Sequence, residues 1–245
     1  MNREILRTVI ADNRNDASEF KIVPRDFIFE EPGNYVFVGI RRAGKSFLLY
    51  QRIQGFLSEG VSLDEILYIN FEDERLIGLT PNDLNLILEV HLEMYGKKPI
   101  LFFDEIQVVE GSEKFARRIA DIKNRVYITG SNAKMLSQKI QTTLGGRYLT
   151  IDIYPYSFKE FLVANEISVH KNSLSSTVTK AEILRLFNEY FYFGGLPEVV
   201  NYGAKRDYIS SVFQKIYLGD IASRYSVNNI SALRVMFKKL AESVK

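Results

Sequence analysis

The chain has 245 residues, of which 46% are hydrophobic and 25% charged, proportions that are ordinary for a globular protein. Its 32 basic and 30 acidic side chains leave a formal net charge of +2, so bulk charge favours neither nucleic acid nor a membrane surface as a partner. The absence of cysteine excludes disulfides, thiolate metal sites and cysteine nucleophiles. The N-terminus lacks the apolar core of a secretory signal, and no run approaches the roughly 18 apolar residues that span a bilayer, so we expect a cytoplasmic protein with no membrane partner.

Short apolar runs alternate with amphipathic segments in the first two thirds of the chain. A helical face at residues 3–12 comes first, and helices are expected between the later apolar runs. The runs predicted as strands cover residues 34–39, 65–71, 99–105, 125–131 and 148–155. Because apolar strands that alternate with helices form parallel sheets covered on both faces, this part is expected to be an α/β domain.

The pattern changes after Pro155. A short helix starts at Ser157, residues 165–180 are polar and indicate a loop, and the remainder is helical. We therefore divide the chain into an α/β domain at residues 1–165, which includes the N-terminal helix, and a helical region at residues 166–245. The break Gly194-Gly195-Leu196-Pro197 within that region is either a plain turn or a hinge that senses a ligand. The aromatic side chains that crowd this half favour a domain-interface core over a platform for stacking bases.

The segment GIRRAGKS at residues 39–46 follows the first strand and opens a helix. Its glycines permit backbone angles that a Cβ hinders, so the N–H groups of the loop can point at phosphate oxygens near the positive end of the helix. Lys45 would place a charge on the β- and γ-phosphates, and Ser46 would offer its hydroxyl to Mg²⁺. The residues expected to contact the nucleotide are Gly39, Arg41, Arg42, Ala43, Gly44, Lys45, Ser46 and Phe47.

Two carboxylates, Asp104 and Glu105, follow the third apolar strand. Parallel strands end on the same edge of a sheet, where ligands bind, so this pair should face the loop at residues 39–46. Asp104 is expected to hold Mg²⁺, and Glu105 to orient and deprotonate an attacking water. A helix-capping role is the alternative for the acids at this position.

Two further polar residues are candidates for the γ-phosphate. Ser131, with Asn132 as the second choice, follows the fourth strand, although both could instead cap the next helix. Arg147 follows two glycines and precedes the fifth strand, and an arginine near the γ-phosphate stabilises the charge of the transition state. It would act within its own chain or on a neighbour's site; the alternative is a surface salt bridge.

The segments GIRRAGKSFLL, FFDEIQ, TGSNAKML, LGGRY, IDIYPYSFKEF and FGGLPEVV occur here in an order that resembles a family of bacterial and archaeal AAA-type ATPases. The resemblance covers nearly the whole chain. It implies an α/β P-loop NTPase fold, with a parallel five-stranded sheet in the order 5-1-4-3-2 followed by a smaller helical region, and ATP rather than GTP as ligand. In that family a C-terminal domain of unknown function follows the ATPase domain, and we expect this chain to stop within it.

These features together predict an ATP-binding protein, specifically a Mg²⁺-dependent ATPase of the AAA type that couples hydrolysis to movement of a C-terminal module. The alternative is a nucleotide-gated binding or switch module, with or without DNA, that turns over little. A small-molecule kinase is disfavoured because the carboxylate pair suits water activation and no arginine-rich lid is evident. DNA or another protein is a hypothetical partner of the C-terminal region, and oligomerisation stays open.

Overall fold

The computed structural model describes residues 1–31, 33–131, 142–168, 176–223 and 227–243. Its strands are β1 (Tyr35–Gly39), β2 (Ile66–Asn70), β3 (Ile100–Asp104), β4 (Val126–Ser131) and β5 (Leu149–Asp152). Its α-helices are α1 (Arg3–Glu19), α2 (Lys45–Ser58), α3 (Leu84–Tyr95), α4 (Ser112–Asp121), α5 (Phe158–Ala164), α6 (Thr177–Phe193), α7 (Lys205–Gln214) and α8 (Ile230–Ser243). A 3₁₀ turn (Pro197–Asn201) precedes α7, and a π-helical segment (Lys215–Ser223) follows it. No helix in the described ranges is long and apolar enough to cross a bilayer.

The five strands form one sheet in the order β2-β3-β4-β1-β5, which read from the β5 edge is 5-1-4-3-2. Every pairing is parallel. The α/β class and the five-stranded parallel sheet are therefore confirmed. Since all strands run the same way, their last residues meet at one side of the sheet, called here the carboxyl edge, which carries Gly39, Asn70, Asp104 and Ser131.

Alternate side chains of each strand enter two separate hydrophobic layers. Val36 and Val38 of β1 pack in the layer that buries α1, α3 and α4, whereas Tyr35 and Phe37 face the layer that buries α2. Removing apolar surface from water on both faces stabilises this three-layer arrangement. The expectation of strands covered on both faces fails at β5, where Leu149 is 45% exposed because that strand forms an open edge of the sheet.

Helix α5 packs on α6 rather than only on the sheet. Phe161 and Leu162 of α5 share a buried cluster with Leu186 of α6 and with Tyr156. The packing crosses the predicted boundary between residues 165 and 166, and the division into two domains at that point stays a prediction. The aromatic residues of α6 lie only partly in the expected interface core, because Phe191 at the end of the helix is exposed.

The glycine pair after α6 has a steric reason. Gly194 caps α6 with a φ of 72°, in the left-handed region that favours glycine. Gly195 then lies against the segment after β5, where its carbonyl accepts a 2.7 Å hydrogen bond from the N–H of Tyr156. A Cβ on Gly195 would stand 2.1 Å from the carbonyl oxygen of Tyr156. The helical region is thus fastened to the sheet at a contact that only glycine allows.

We predict that Gly195→Ala destabilises the protein by about 2 kcal/mol, the usual scale for forcing an extra methyl into a packed site. Gly203→Ala is the matched control, because no heavy atom lies within 4 Å of the position its Cβ would take. That control should shift stability by less than about 0.5 kcal/mol. Urea unfolding of both variants measures the difference, and equal stability would mean that the contact with Tyr156 is not restrictive.

Candidate functional site

The loop between β1 and α2 depends on a glycine at each end. A Cβ on Gly39 would stand 2.3 Å from the carbonyl oxygen of Ile153, which follows β5, so no larger residue fits there. Gly44 has a φ of 94° and caps α2 without a side-chain hydrogen bond. The N–H groups at the start of α2 are therefore not taken up by a capping side chain, and a helix start of this kind attracts anions.

Lys45 lies folded back beneath the loop and is 5% exposed. Its Nζ is 3.2 Å from the carbonyl oxygens of Gly39 and Ile40, to which it donates. It is also 3.3 Å from Oε1 of Glu105, so the loop lysine and the acid after β3 form an ion pair at the carboxyl edge. The structure thus brings together two residues that the sequence placed in one site from separate segments.

Asp104 is the most buried acid of the site, with 2% of its surface exposed. The Tyr68 hydroxyl of β2 donates a 2.9 Å hydrogen bond to Oδ2, and the Thr129 hydroxyl of β4 donates to Oδ1. Burial raises the pKa of Asp104 above its ordinary value; hydrogen bonds from Ser46 and Thr129 oppose this rise, and the charge of Glu105 adds to it. The carboxylate is therefore well held but poorly solvated.

Glu105 has a φ of 53°, in the left-handed region, which residues other than glycine rarely adopt. Its backbone N–H donates a 2.9 Å hydrogen bond to the hydroxyl of Thr129, the same group that donates to Asp104. Its carboxylate also accepts a hydrogen bond from Gln107. Unusual backbone angles persist where surrounding contacts enforce them, and such positions cluster at functional sites.

Ser46 and Asp104 fit a magnesium ion. Ser46 and Asp104 line the same cavity, and the Ser46 hydroxyl is close enough to oppose the rise in the pKa of Asp104, so the two oxygen ligands expected for the metal are neighbours. Mg²⁺ prefers oxygen ligands and is held by one or two carboxylates together with water and substrate phosphates. A buried acid whose pKa is raised by desolvation would also gain a counter-charge from a divalent cation.

A cavity of about 290 Å³ opens above these residues, and the helical region supplies part of its wall. The expected loop residues Arg41, Arg42 and Phe47 line it. Ala43 is fully buried instead, and its carbonyl oxygen faces away to accept a 3.1 Å hydrogen bond from Arg25. The wall contributed by the helical region consists of Pro197, Glu198, Val212, Lys215 and Ile216.

Ser131 and Arg147 have different outcomes. The backbone of Ser131 pairs with Gly39 at the carboxyl edge, beside the loop, and Asn132 lies outside the described residues. Arg147 pairs instead with Asp121 at the end of α4 and precedes β5, whose first residue lies beside the first residue of β1. It therefore sits at the edge where strands begin. The structure does not bring Arg147 into this cavity, and a role for Arg147 at the γ-phosphate, in its own chain or on a neighbouring copy, stays a prediction.

Sequence reasoning missed three side chains that support the site. Thr129 and Tyr68 lie inside apolar strands, and only the neighbour relations of β2, β3 and β4 reveal that they flank Asp104. The feature that could have indicated Thr129 is its position. It lies two residues before Ser131, on the strand next to the one that ends in acids. Arg25 lies in an irregular segment, and its contact with Ala43 has no local sequence signal.

Comparison with known proteins agrees with this geometry. Residues 32–162 match the family model described as an AAA domain. An uncharacterised protein of Methanocaldococcus jannaschii is 38% identical over 237 residues, which cover 95% of this chain and 52% of the relative. An uncharacterised protein of Haemophilus influenzae is 37% identical over 213 residues, covering 85% of this chain and 51% of the relative. The chain spans about half the length of these relatives. Since the family model covers more than half of the chain, the chain belongs to the AAA domain family of P-loop ATPase-like proteins.

Proposed function

We propose that this chain binds ATP with Mg²⁺ in the cavity at the carboxyl edge and hydrolyses it. The observation that carries the proposal is the ion pair between Lys45 and Glu105, 3.3 Å apart, beside the buried Asp104. A cation from the loop, a buried acid and a second, less buried acid are the groups that phosphoryl transfer to water requires in one place.

Binding would use the loop and the start of α2. The uncapped N–H groups behind Gly44 and the ammonium of Lys45 donate to phosphate oxygens. The ammonium is held by two loop carbonyls and by Glu105, so phosphates would exchange one set of oxygen acceptors for another. Ser46 and Asp104 would hold Mg²⁺, and the ion would neutralise part of the charge of the terminal phosphates.

Hydrolysis would use Glu105. The oxygen of a water attacks the γ-phosphorus while Glu105 accepts a proton from that water, and the bond from the γ-phosphorus to the bridging oxygen breaks to leave ADP and inorganic phosphate. Thr129 orients both acids through one hydroxyl, so it is a positioning residue. Ser131 remains a candidate for a contact with the γ-phosphate, and Arg147 a candidate for action in trans.

A nucleotide-gated switch with little turnover is the second candidate. The contact between Arg42 of the loop and Glu198 of the helical region favours it, because a ligand in the loop could then change the position of the helices. Coupling of hydrolysis to movement, a DNA or protein partner of the helical region, and assembly into oligomers stay predictions.

Lys45→Ala should weaken binding of Mg²⁺-ATP by about tenfold or more, because a hydrogen bond to a charged group contributes about 1.5–3 kcal/mol and 1.4 kcal/mol is tenfold. Isothermal titration calorimetry measures the affinity. Lys97→Ala removes the same charge from an exposed position in the loop before β3 and should bind like the wild type. Unchanged binding in the Lys45 variant would remove the loop from the proposed site.

Glu105→Gln should bind Mg²⁺-ATP but release phosphate about 100-fold more slowly or worse, since loss of a general base has effects of that size. A phosphate-release assay measures turnover. The control is Glu110→Gln, which changes an exposed residue between β3 and α4. Turnover at the wild-type rate would contradict the role of Glu105. A wild-type chain that binds ATP without releasing phosphate would favour the switch.

Thr129→Val should lower the turnover rate about 10- to 100-fold with a smaller change in KM, because displacement of a positioned catalytic group by about 1 Å has such consequences. Valine keeps the shape of threonine but loses both hydrogen bonds. Thr129→Ser keeps the hydroxyl and should restore most of the rate in the same steady-state assay. Equal losses in both variants would indicate that packing, rather than the hydroxyl, matters at this position.

A further inference from the structure

The phosphate loop is tied to the helical region by a three-membered contact. Arg42 in the loop forms an ion pair with Glu198 of the 3₁₀ turn after α6. The same guanidinium donates a 3.1 Å hydrogen bond to the hydroxyl of Tyr208 on α7, and that hydroxyl donates at 2.8 Å to Glu198. Each member therefore contacts the other two, and the group is called here the Arg42 triad.

The triad forms part of the wall of the nucleotide cavity. Arg42 and Glu198 line the cavity together with Lys45 and Asp104. Pro197, the neighbour of Glu198, lies 3.5 Å from the position that a Cβ on Gly44 would take, so the 3₁₀ turn packs directly on the last glycine of the loop. A phosphate group in the loop would therefore enter a space that already contains the carboxylate of Glu198.

The members of the triad differ in how firmly they are held. Tyr208 is buried and stacks on Tyr202 with ring centroids 4.3 Å apart. Burial raises the pKa of Tyr208 to about 12, so it stays a neutral hydroxyl that accepts from Arg42 and donates to Glu198. The side chains of Arg42 and Glu198 are 38% and 43% exposed, and an exposed ion pair can be exchanged at little cost. The backbone of Arg42 has a φ of 62°, in the left-handed region that residues other than glycine rarely adopt.

Electrostatics set the direction of the coupling. A triphosphate is a stronger anion than a carboxylate and a better match for the fork of a guanidinium, so it competes with Glu198 for Arg42. Once Arg42 turns to phosphate, Glu198 is left beside a second negative charge in a partly desolvated cavity. The negative charges of Glu198 and of the phosphate repel each other within one cavity, and this repulsion acts on the 3₁₀ turn that carries Glu198.

We propose that Glu198 occupies Arg42 in place of the nucleotide, and that a triphosphate entering the loop displaces Glu198, breaks the Arg42 triad and releases the segment from Pro197 to Gln214. Glu198 is thus a positioning residue that holds the nucleotide-free arrangement. The proposal rests on the proposed function for the identity of the ligand. Because coupling is reciprocal, loss of the contact must raise nucleotide affinity, just as nucleotide must loosen the contact.

The test compares wild type, Glu198→Gln, Tyr208→Phe and Glu72→Gln. Glu72 is the matched control, because it lines the same cavity and pairs with Arg41 at 3.2 Å but lies in the sheet domain. The probe is Mg²⁺ with the β,γ-imido analogue of ATP, which is not hydrolysed. Calorimetry gives the affinity, and hydrogen–deuterium exchange reports the amides of residues 197–214 with and without the analogue.

We expect Glu198→Gln to raise affinity about threefold to fivefold, the range that an exposed ion pair permits. In the absence of analogue, residues 197–214 should exchange faster in Glu198→Gln than in the wild type, and the analogue should speed their exchange in the wild type only. Tyr208→Phe keeps the packing of the ring and should act in the same direction with a smaller effect. Glu72→Gln should leave exchange at residues 197–214 unchanged.

Three results would overturn this proposal alone. One is equal affinity in Glu198→Gln and the wild type. Another is a slowing of exchange at residues 197–214 when the analogue binds, which would mean that nucleotide tightens the contact. The third is that Glu72→Gln loosens residues 197–214 as much as Glu198→Gln does, which would mean that the total charge of the cavity, rather than the Arg42 triad, controls the exchange of this segment. A wild-type chain that does not bind the analogue removes both this proposal and the proposed function, whereas the other outcomes leave binding intact.

Discussion

The desolvated carboxylate of Asp104 is the constraint on which the rest of the site depends. It stands at the end of β3 with 2% of its surface exposed, and it is satisfied from neighbouring elements on both sides, by Tyr68 of β2 and Thr129 of β4. A buried charge without such partners is destabilising by several kcal/mol, so the sheet must place these hydroxyls accurately. The parallel order β2-β3-β4 does so because each donor lies on a strand adjacent to the acid.

The same burial gives the ionised acid an electrostatic penalty. The pKa of Asp104 is raised in the folded chain, first by burial, so the folded state binds its proton more tightly than the unfolded state does. Ionising this acid therefore lowers the free energy of unfolding as pH rises from the ordinary carboxyl pKa through the raised pKa, and the full penalty is present only above the raised pKa. A cation bound beside Asp104 and Ser46 would offset that penalty, and any ligand that binds only the folded state stabilises it. The proposed binding of Mg²⁺ would therefore stabilise the folded chain as well as serve the reaction.

The sequence predicted the elements and site residues that carry a local pattern, and it missed side chains that reach the site from elements without one. Alternating apolar runs and the segment at residues 39–46 were sufficient for the α/β class, the strands and the loop, since each depends on local pattern. Thr129 was passed over in favour of Ser131 because its partners lie on another strand. The position of Arg147 follows from topology alone, because a residue that precedes a parallel strand lies at the edge opposite to residues that follow one. Glu198 could not be found, because no local pattern links it to a loop 156 residues earlier.

Two arginines link the phosphate loop to later parts of the chain, and they differ in how deeply they are buried. Arg25 donates to the carbonyl of Ala43 and pairs with Glu160 of α5 at 2.7 Å, with side chains only 13% and 16% exposed. Breaking a buried pair of this kind leaves an uncompensated charge, so the contact acts as a fixed anchor. The pair of Arg42 with Glu198 is open to solvent and is weak for that reason. Under the proposed displacement of Glu198, a ligand in the loop meets a firm contact at Arg25 and an exchangeable contact at Arg42, and the second contact is the one that links the loop to α7.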